Sequence, residues 1–227
     1  MLYILDILGT FVFAVSGAFR AVKYELDILG VLVLSIATGV GGGIVRDVMI
    51  GYNPPAAFRD ETYLLTCFAG GLIVFLAARK IAPRWDIVIA LDALGLGVFA
   101  AIGAAKASLF GMGTIGIIMM AAITATGGGV IRDVLVREIP AVLKTDFYAM
   151  AAMIGGACLA VVKHFGYGEH TQMLCAAAAT LTLRLLAMKF RISLPKVKSL
   201  TMSPSELTRQ RKTVKEEQQK RTESGTQ

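Results

Sequence analysis

Apolar residues along the chain gather into seven stretches, 2–19, 28–50, 62–78, 87–105, 113–136, 146–162 and 171–188. Each is long enough to cross roughly 30 Å of hydrocarbon, which takes about 20 residues of helix. Short polar segments separate them. The pattern predicts an all-α integral membrane protein with seven transmembrane helices. The first stretch has no basic residues ahead of it and carries Asp6, so it reads as a retained span rather than a cleaved leader.

Composition agrees with the pattern. The chain has 227 residues, 56% of them hydrophobic and 17% charged, too little polar surface for a soluble domain of this length. Cys67, Cys158 and Cys175 lie in apolar spans without a metal-ligand or redox spacing, and read as small buried hydrophobes. His164 and His170 flank a short loop with no partner motif nearby. No catalytic constellation is visible. The chain is expected not to be an enzyme, to carry no cofactor or fixed metal, and to bind no nucleic acid or identified soluble substrate.

A gapless internal repeat runs through the first two thirds of the chain. Adding 86 to a residue number carries Asp6 to Asp92, Gly9 to Gly95, Phe13 to Phe99, Gly17 to Gly103, Thr38 to Thr124 and Pro54 to Pro140. It also carries the segment GGGIVRDV, residues 41–48, to GGGVIRDV, residues 127–134. About 20 of about 56 positions are identical between Leu5 and Asp60 and their counterparts, charged residues included, which marks a duplication. Each copy holds three spans, an odd number, so the second copy enters the membrane from the opposite side and the repeat is inverted. The organisation expected is a first three-helix repeat at 1–80, a second at 87–163, a seventh helix at 171–188 and a basic, disordered tail at 189–227 with a short helix possible at 205–220.

Charge sets the orientation. From Lys189 onward the tail holds 10 Lys or Arg against 4 Glu, which is +6 of the chain's formal +7. With the tail in the cytoplasm, inner loops hold Arg20, Lys23, Arg79, Lys80, Arg84, Arg137 and Lys144, and outer loops only Arg59, Lys106 and Lys163. Positive residues favour the cytoplasmic side, so the N-terminus is expected outside. Trp85 suits an interfacial anchor at the inner start of the fourth span.

The repeated motif carries the candidate chemistry. Glycine triplets Gly41, Gly42, Gly43 and Gly127, Gly128, Gly129 inside spans predict a broken second and a broken fifth helix, because glycine costs about 1 kcal/mol in a helix interior. Broken segments free backbone carbonyls and amides that must line water or protein, and half-helix ends bring partial charges to the path. A permeant monovalent cation is expected near these breaks. Arg46, Asp47, Arg132 and Asp133 follow; neighbours in a helix point about 100° apart, so each is expected to meet partners on other helices rather than each other. Snorkelling to the headgroups is the competing reading of the arginines. Asp6 and Asp92 either complement their helix dipoles, pair with Arg46 or Arg132, or form a cation-attracting mouth. Ser16, Thr38 and Thr124 complete the pore candidates, among small residues that permit close helix approach.

With these features the sequence resembles the trimeric intracellular cation channel family, over about residues 2–188. The resemblance implies a homotrimer in a bacterial plasma membrane, one potassium- or sodium-permeable pore per protomer, and the glycines with Arg46, Asp47, Arg132 and Asp133 as pore or gating residues. In animal relatives a Lys-Glu-Val segment contacts a phosphoinositide; Arg46, Asp47 and Val48 stand in that place, with anionic phospholipid the expected lipid partner. Two other functions compete. One is a secondary carrier for a small zwitterion such as glycine, with Arg holding a carboxylate and Asp an ammonium; the other is a scaffold without transport.

Overall fold

The computed structural model describes residues 2–81, 85–144 and 147–190, with the backbone alone at 79–81 and 85–88. Among them are seven long helices: α1 (Leu2–Lys23), α2 (Ile28–Met49), α4 (Thr62–Ile81), α5 (Trp85–Leu109), α6 (Thr114–Leu135), α8 (Tyr148–His164) and α9 (Glu169–Lys189). Two four-residue helices, α3 (Ala56–Arg59) and α7 (Ala141–Lys144), follow α2 and α6. The long helices coincide with the seven apolar stretches. Five are long and apolar enough to cross a membrane, while Thr62–Ala78 and Tyr148–His164 are shorter apolar segments. The tail beyond Phe190, its expected short helix and the side chain of Trp85 lie outside the described residues.

The helix ends repeat as the sequence does. After α2, Gly51 adopts φ +77°, Tyr52 N–H donates to the Asp47 carbonyl at 2.8 Å and Gly51 N–H to that of Val48 at 3.2 Å. This is the left-handed C-terminal cap that glycine favours. After α6 the same bonds run from Glu138 to Asp133 (2.8 Å) and from Arg137 to Val134 (3.0 Å), with Arg137 at φ +58°. Glu25 and Gly111 close α1 and α5 in the same way. Each pair of caps stands 86 residues apart.

The glycine triplets do not break their helices: α2 and α6 each run for 22 residues of uninterrupted α-helix. The expected half-helix ends are therefore not part of this fold. What the glycines supply is proximity. A Cβ on Gly42 would sit 2.4 Å from the Thr124 carbonyl oxygen, and one on Gly128 would sit 2.2 Å from that of Thr38. Without side chains at the crossing, α2 and α6 meet backbone to backbone, the arrangement by which helices associate where apolar burial supplies no drive. Gly17 and Gly103 act alike between neighbouring helices, each 2.5 Å by that measure from a carbonyl, of Leu34 and Met120.

α1 lies against α2, α4 and α5, while α5 lies against α6, α8 and α9. The core is centred on α5, α6 and α8, and Phe13 of α1 reaches it to meet Phe99 at 5.1 Å between ring centroids.

Candidate functional site

Two buried charge clusters form where the repeats meet. In the first, Arg46 at the end of α2 is 1% exposed. Its Nε donates to Asp47 Oδ1 at 2.8 Å and its Nη2 to Asp6 Oδ2 at 3.3 Å. Tyr63 of α4 donates to the same Asp6 oxygen at 3.1 Å. Asp47 Oδ2 accepts the Ala56 backbone N–H at 2.9 Å, which ties down the segment after the α2 cap. Lys106 of α5 arrives from the other repeat and lies 3.3 Å from Asp47 and 3.6 Å from Asp6.

The second cluster reproduces the first. Arg132 Nε donates to Asp133 Oδ1 at 2.9 Å and its Nη1 to Asp92 Oδ1 at 2.8 Å. Tyr148 donates to Asp92 Oδ2 at 2.6 Å, and the Ala141 N–H to Asp133 Oδ2 at 2.8 Å. Arg20 of α1 crosses from the first repeat to Asp133 at 3.1 Å. Asp6 and Arg20 lie fourteen residues apart on α1, about 21 Å at the rise of an α-helix. The clusters therefore occupy opposite ends of the bundle, and Phe13 stands midway between those two residues.

Arg46 and Asp47 bond each other as well as other helices, and so do Arg132 and Asp133. The expectation that neighbouring positions would not meet fails because the long arginine folds back along its own helix. Asp6 and Asp92 pair with Arg46 and Arg132 respectively. Burial of Arg46 and Arg132 excludes snorkelling. Ser16 accepts from Arg132 Nη1 at 2.7 Å. Thr38 is buried with its hydroxyl on the Leu34 carbonyl at 2.6 Å, and buried Thr124 Oγ1 has no hydrogen-bond partner among the described residues.

Four groups carry formal charge in each cluster: Asp6, Asp47, Arg46 and Lys106 in the first, Asp92, Asp133, Arg132 and Arg20 in the second. Each set sums to zero. Removing a single partner would strand a buried charge at a cost of about 3 to 5 kcal/mol. The rims of the clusters differ in chemistry. Arg20 also pairs with Glu138 at 3.4 Å, and the Tyr24 hydroxyl donates to Glu138. That hydrogen bond holds the Glu138 carboxyl below its usual range and pushes the Tyr24 phenol up. The counterpart of Glu138 is Tyr52, whose ring lies 5.6 Å from Lys106 Nζ and edge-on to Phe110 at 6.2 Å. A recess of 240 Å³ is lined by Leu2, Ala105, Ser108, Lys163, Glu169 and Gln172 among others.

The duplication is also visible in kinship. A family model described as a glycine transporter matches twice, over residues 3–79 and 89–164, and the two matches begin 86 residues apart. The chain is 39% identical over 198 residues to the UPF0126 inner membrane protein YadS of Escherichia coli K12, covering 86% of this chain and 95% of that one. A solved TRIC cation channel superposes with a TM-score of 0.81 at 38% identity, over 86% of this chain and 97% of the other. The TRIC orthologue from Rhodobacter sphaeroides superposes with a TM-score of 0.81 at 34% identity, over 84% and 98%. The chain belongs to the TRIC family.

Within this TRIC chain, four members of the clusters were not singled out from sequence as site residues. From sequence Arg20 and Lys106 read as loop charges, although 20 plus 86 is 106 and the repeat itself pairs them. Tyr63 and Tyr148 escape the same offset by one residue, because Pro55 has no counterpart after Pro140. Arg184, buried on α9 with its guanidinium 4.8 Å from the Tyr148 ring centroid, has no repeat partner and no sequence signal beyond a charge within an apolar stretch.

Proposed function

We propose that this TRIC chain is a passive channel for monovalent cations, potassium among them, with one path through each protomer of a homotrimer in the bacterial plasma membrane. All seven long helices span the bilayer as two inverted three-helix repeats plus α9, with the N-terminus outside. The supporting observation is the pair of charge clusters. Each holds two carboxylates and an arginine from one repeat, latched by a single long cation from the other: Lys106 on the first cluster, Arg20 on the second. Moving the repeats apart at one end withdraws that cation. What remains there, two aspartates and one arginine, carries a net charge of −1. A mouth of that sign in a low-dielectric surround concentrates cations and repels anions. The described conformation, with both latches made and Phe13 on Phe99 between them, is the closed one. The Lys106 end then faces outward and the Arg20 end the cytoplasm, where exposed Arg137 and Lys144 suit anionic phospholipid.

The second reading, a carrier for a small zwitterion such as glycine, draws on the family model's description and on the same geometry, since two end gates around a closed centre also suit alternating access. Reconstitution decides. Liposomes containing pure protein should dissipate a potassium gradient at rates far above empty liposomes and take up no labelled glycine, and native mass spectrometry of that preparation should give a trimer. Saturable glycine uptake without potassium conductance would establish the carrier.

Orientation has its own check. In a background lacking Cys67, Cys158 and Cys175, a K220C variant in intact cells should resist an impermeant thiol reagent and react once the membrane is opened. Labelling in intact cells would reverse the assignment.

A further inference from the structure

We infer that the two latches are unequal, and that the end closed by Lys106 opens in preference to the end closed by Arg20, because the repeat has Ile102 where it has Ser16. This rests on the reading of the clusters as the closed ends of one path. In the second cluster, Arg132 Nη1 is fully occupied: it donates to Asp92 at 2.8 Å within its own repeat and to Ser16 Oγ at 2.7 Å across to the other. The position equivalent to Ser16 is Ile102, fully buried and unable to accept. In the first cluster, Arg46 Nη1 is buried with no hydrogen-bond partner among the described residues. An N–H on a charged group, removed from water and left without an acceptor, weakens the closed state that holds it there.

Arg20 Nε at the second cluster is also buried without an acceptor among the described residues, but both terminal nitrogens of Arg20 are ion-paired, and the remaining contacts that cross between repeats favour the second cluster. Arg20 reaches both Asp133 and Glu138, and Tyr24 adds a hydrogen bond to Glu138 from the same side. At the first cluster the latch is Lys106, a point charge without a planar fork, and the residues in place of Glu138 and Tyr24 are Tyr52 and Phe110, which offer rings instead of an ion pair and a hydroxyl. The within-repeat bonds to Asp6 are longer than those to Asp92 too: 3.3 Å from Arg46 and 3.1 Å from Tyr63, against 2.8 Å and 2.6 Å from Arg132 and Tyr148. A path built from an inverted repeat thus carries a built-in direction: one end is the gate and the other the lock.

Amide hydrogen exchange on the full chain in lipid nanodiscs reads each latch without reference to transport. The segments after α2 and α6, residues 50–58 and 136–144, are tied to Asp47 and Asp133 through Ala56 and Ala141 and report each cluster separately. After correction for intrinsic rates, 50–58 should exchange faster than 136–144 in the wild type. I102S, which supplies the missing acceptor, should slow 50–58 about tenfold, the worth of one charge-assisted hydrogen bond, and leave 136–144 unchanged. S16A should accelerate 136–144 by a similar factor and leave 50–58 unchanged, and it carries the test alone if I102S does not fold. Equal protection of the two segments, or no response to either substitution, would overturn the inference. The expected exchange pattern in a protein that conducts no ions would uphold the inequality of the latches and remove the channel reading instead.

Discussion

Gly42→Ala and Gly128→Ala should each prevent stable folding, while Gly43→Ala and Gly129→Ala, one residue along, should be tolerated. A methyl group at 42 or 128 would lie 2.4 or 2.2 Å from a backbone carbonyl oxygen of the opposing helix, and backbone cannot rotate aside as a side chain can. The helices must separate, losing the contacts on both sides of the crossing. Overpacking of this kind costs about 1 to 3 kcal/mol in ordinary cores and more where the obstacle is rigid. At 43 and 129 the nearest atoms are side-chain ends at 3.6 and 3.5 Å, Arg46 Nη2 and the Tyr148 hydroxyl, which is ordinary contact. Because Gly42 and Gly128 share one crossing, the double alanine variant should cost less than the sum of its singles. Thermal unfolding in detergent, followed by size-exclusion recovery, measures all five variants. If Gly42→Ala matched wild type, the triplets would have a purpose other than close approach, and a helix break would return as the explanation.

Arg132→Ala should be the most damaging single change at either cluster. It takes away the cation that pairs with both Asp92 and Asp133, shifts the charge of the site by −1, and removes the donor to the Ser16 hydroxyl. Breaking a buried pair in this way costs about 3 to 5 kcal/mol, so assembled protein should be lost. Arg132→Lys keeps the charge but forfeits the fork that bonds Asp133 through Nε and Asp92 through Nη1, and should fall between. Combining Arg132→Ala with Asp92→Asn restores neutrality and should recover part of the folded yield. That rescue separates charge balance from packing, since it adds no volume. An arginine needed only to reach the headgroups would give a different series: alanine would be mild and Asp92→Asn would rescue nothing.

The seven long helices, the duplication and the candidate residues Arg46, Asp47, Arg132, Asp133, Asp6 and Asp92 follow from sequence, because hydrophobic length and an 86-residue identity are properties of the chain before it folds. The offset already paired Arg20 with Lys106. Their place in the clusters could not be read there, since a basic residue at a helix end serves equally as a topological charge and as a latch, and only the approach of α1 to α6 and of α5 to α2 makes it the latter. The glycine triplets were ambiguous for a deeper reason. A broken helix and a close crossing both require the absence of Cβ, so composition is the same in the two cases. The Thr124 and Thr38 carbonyls decide between them, and they lie more than eighty residues from the glycines they touch. The unequal latches depend on both levels: Ile102 in place of Ser16 is written in the sequence, but it acquires meaning only when Arg46 is buried where an acceptor is missing.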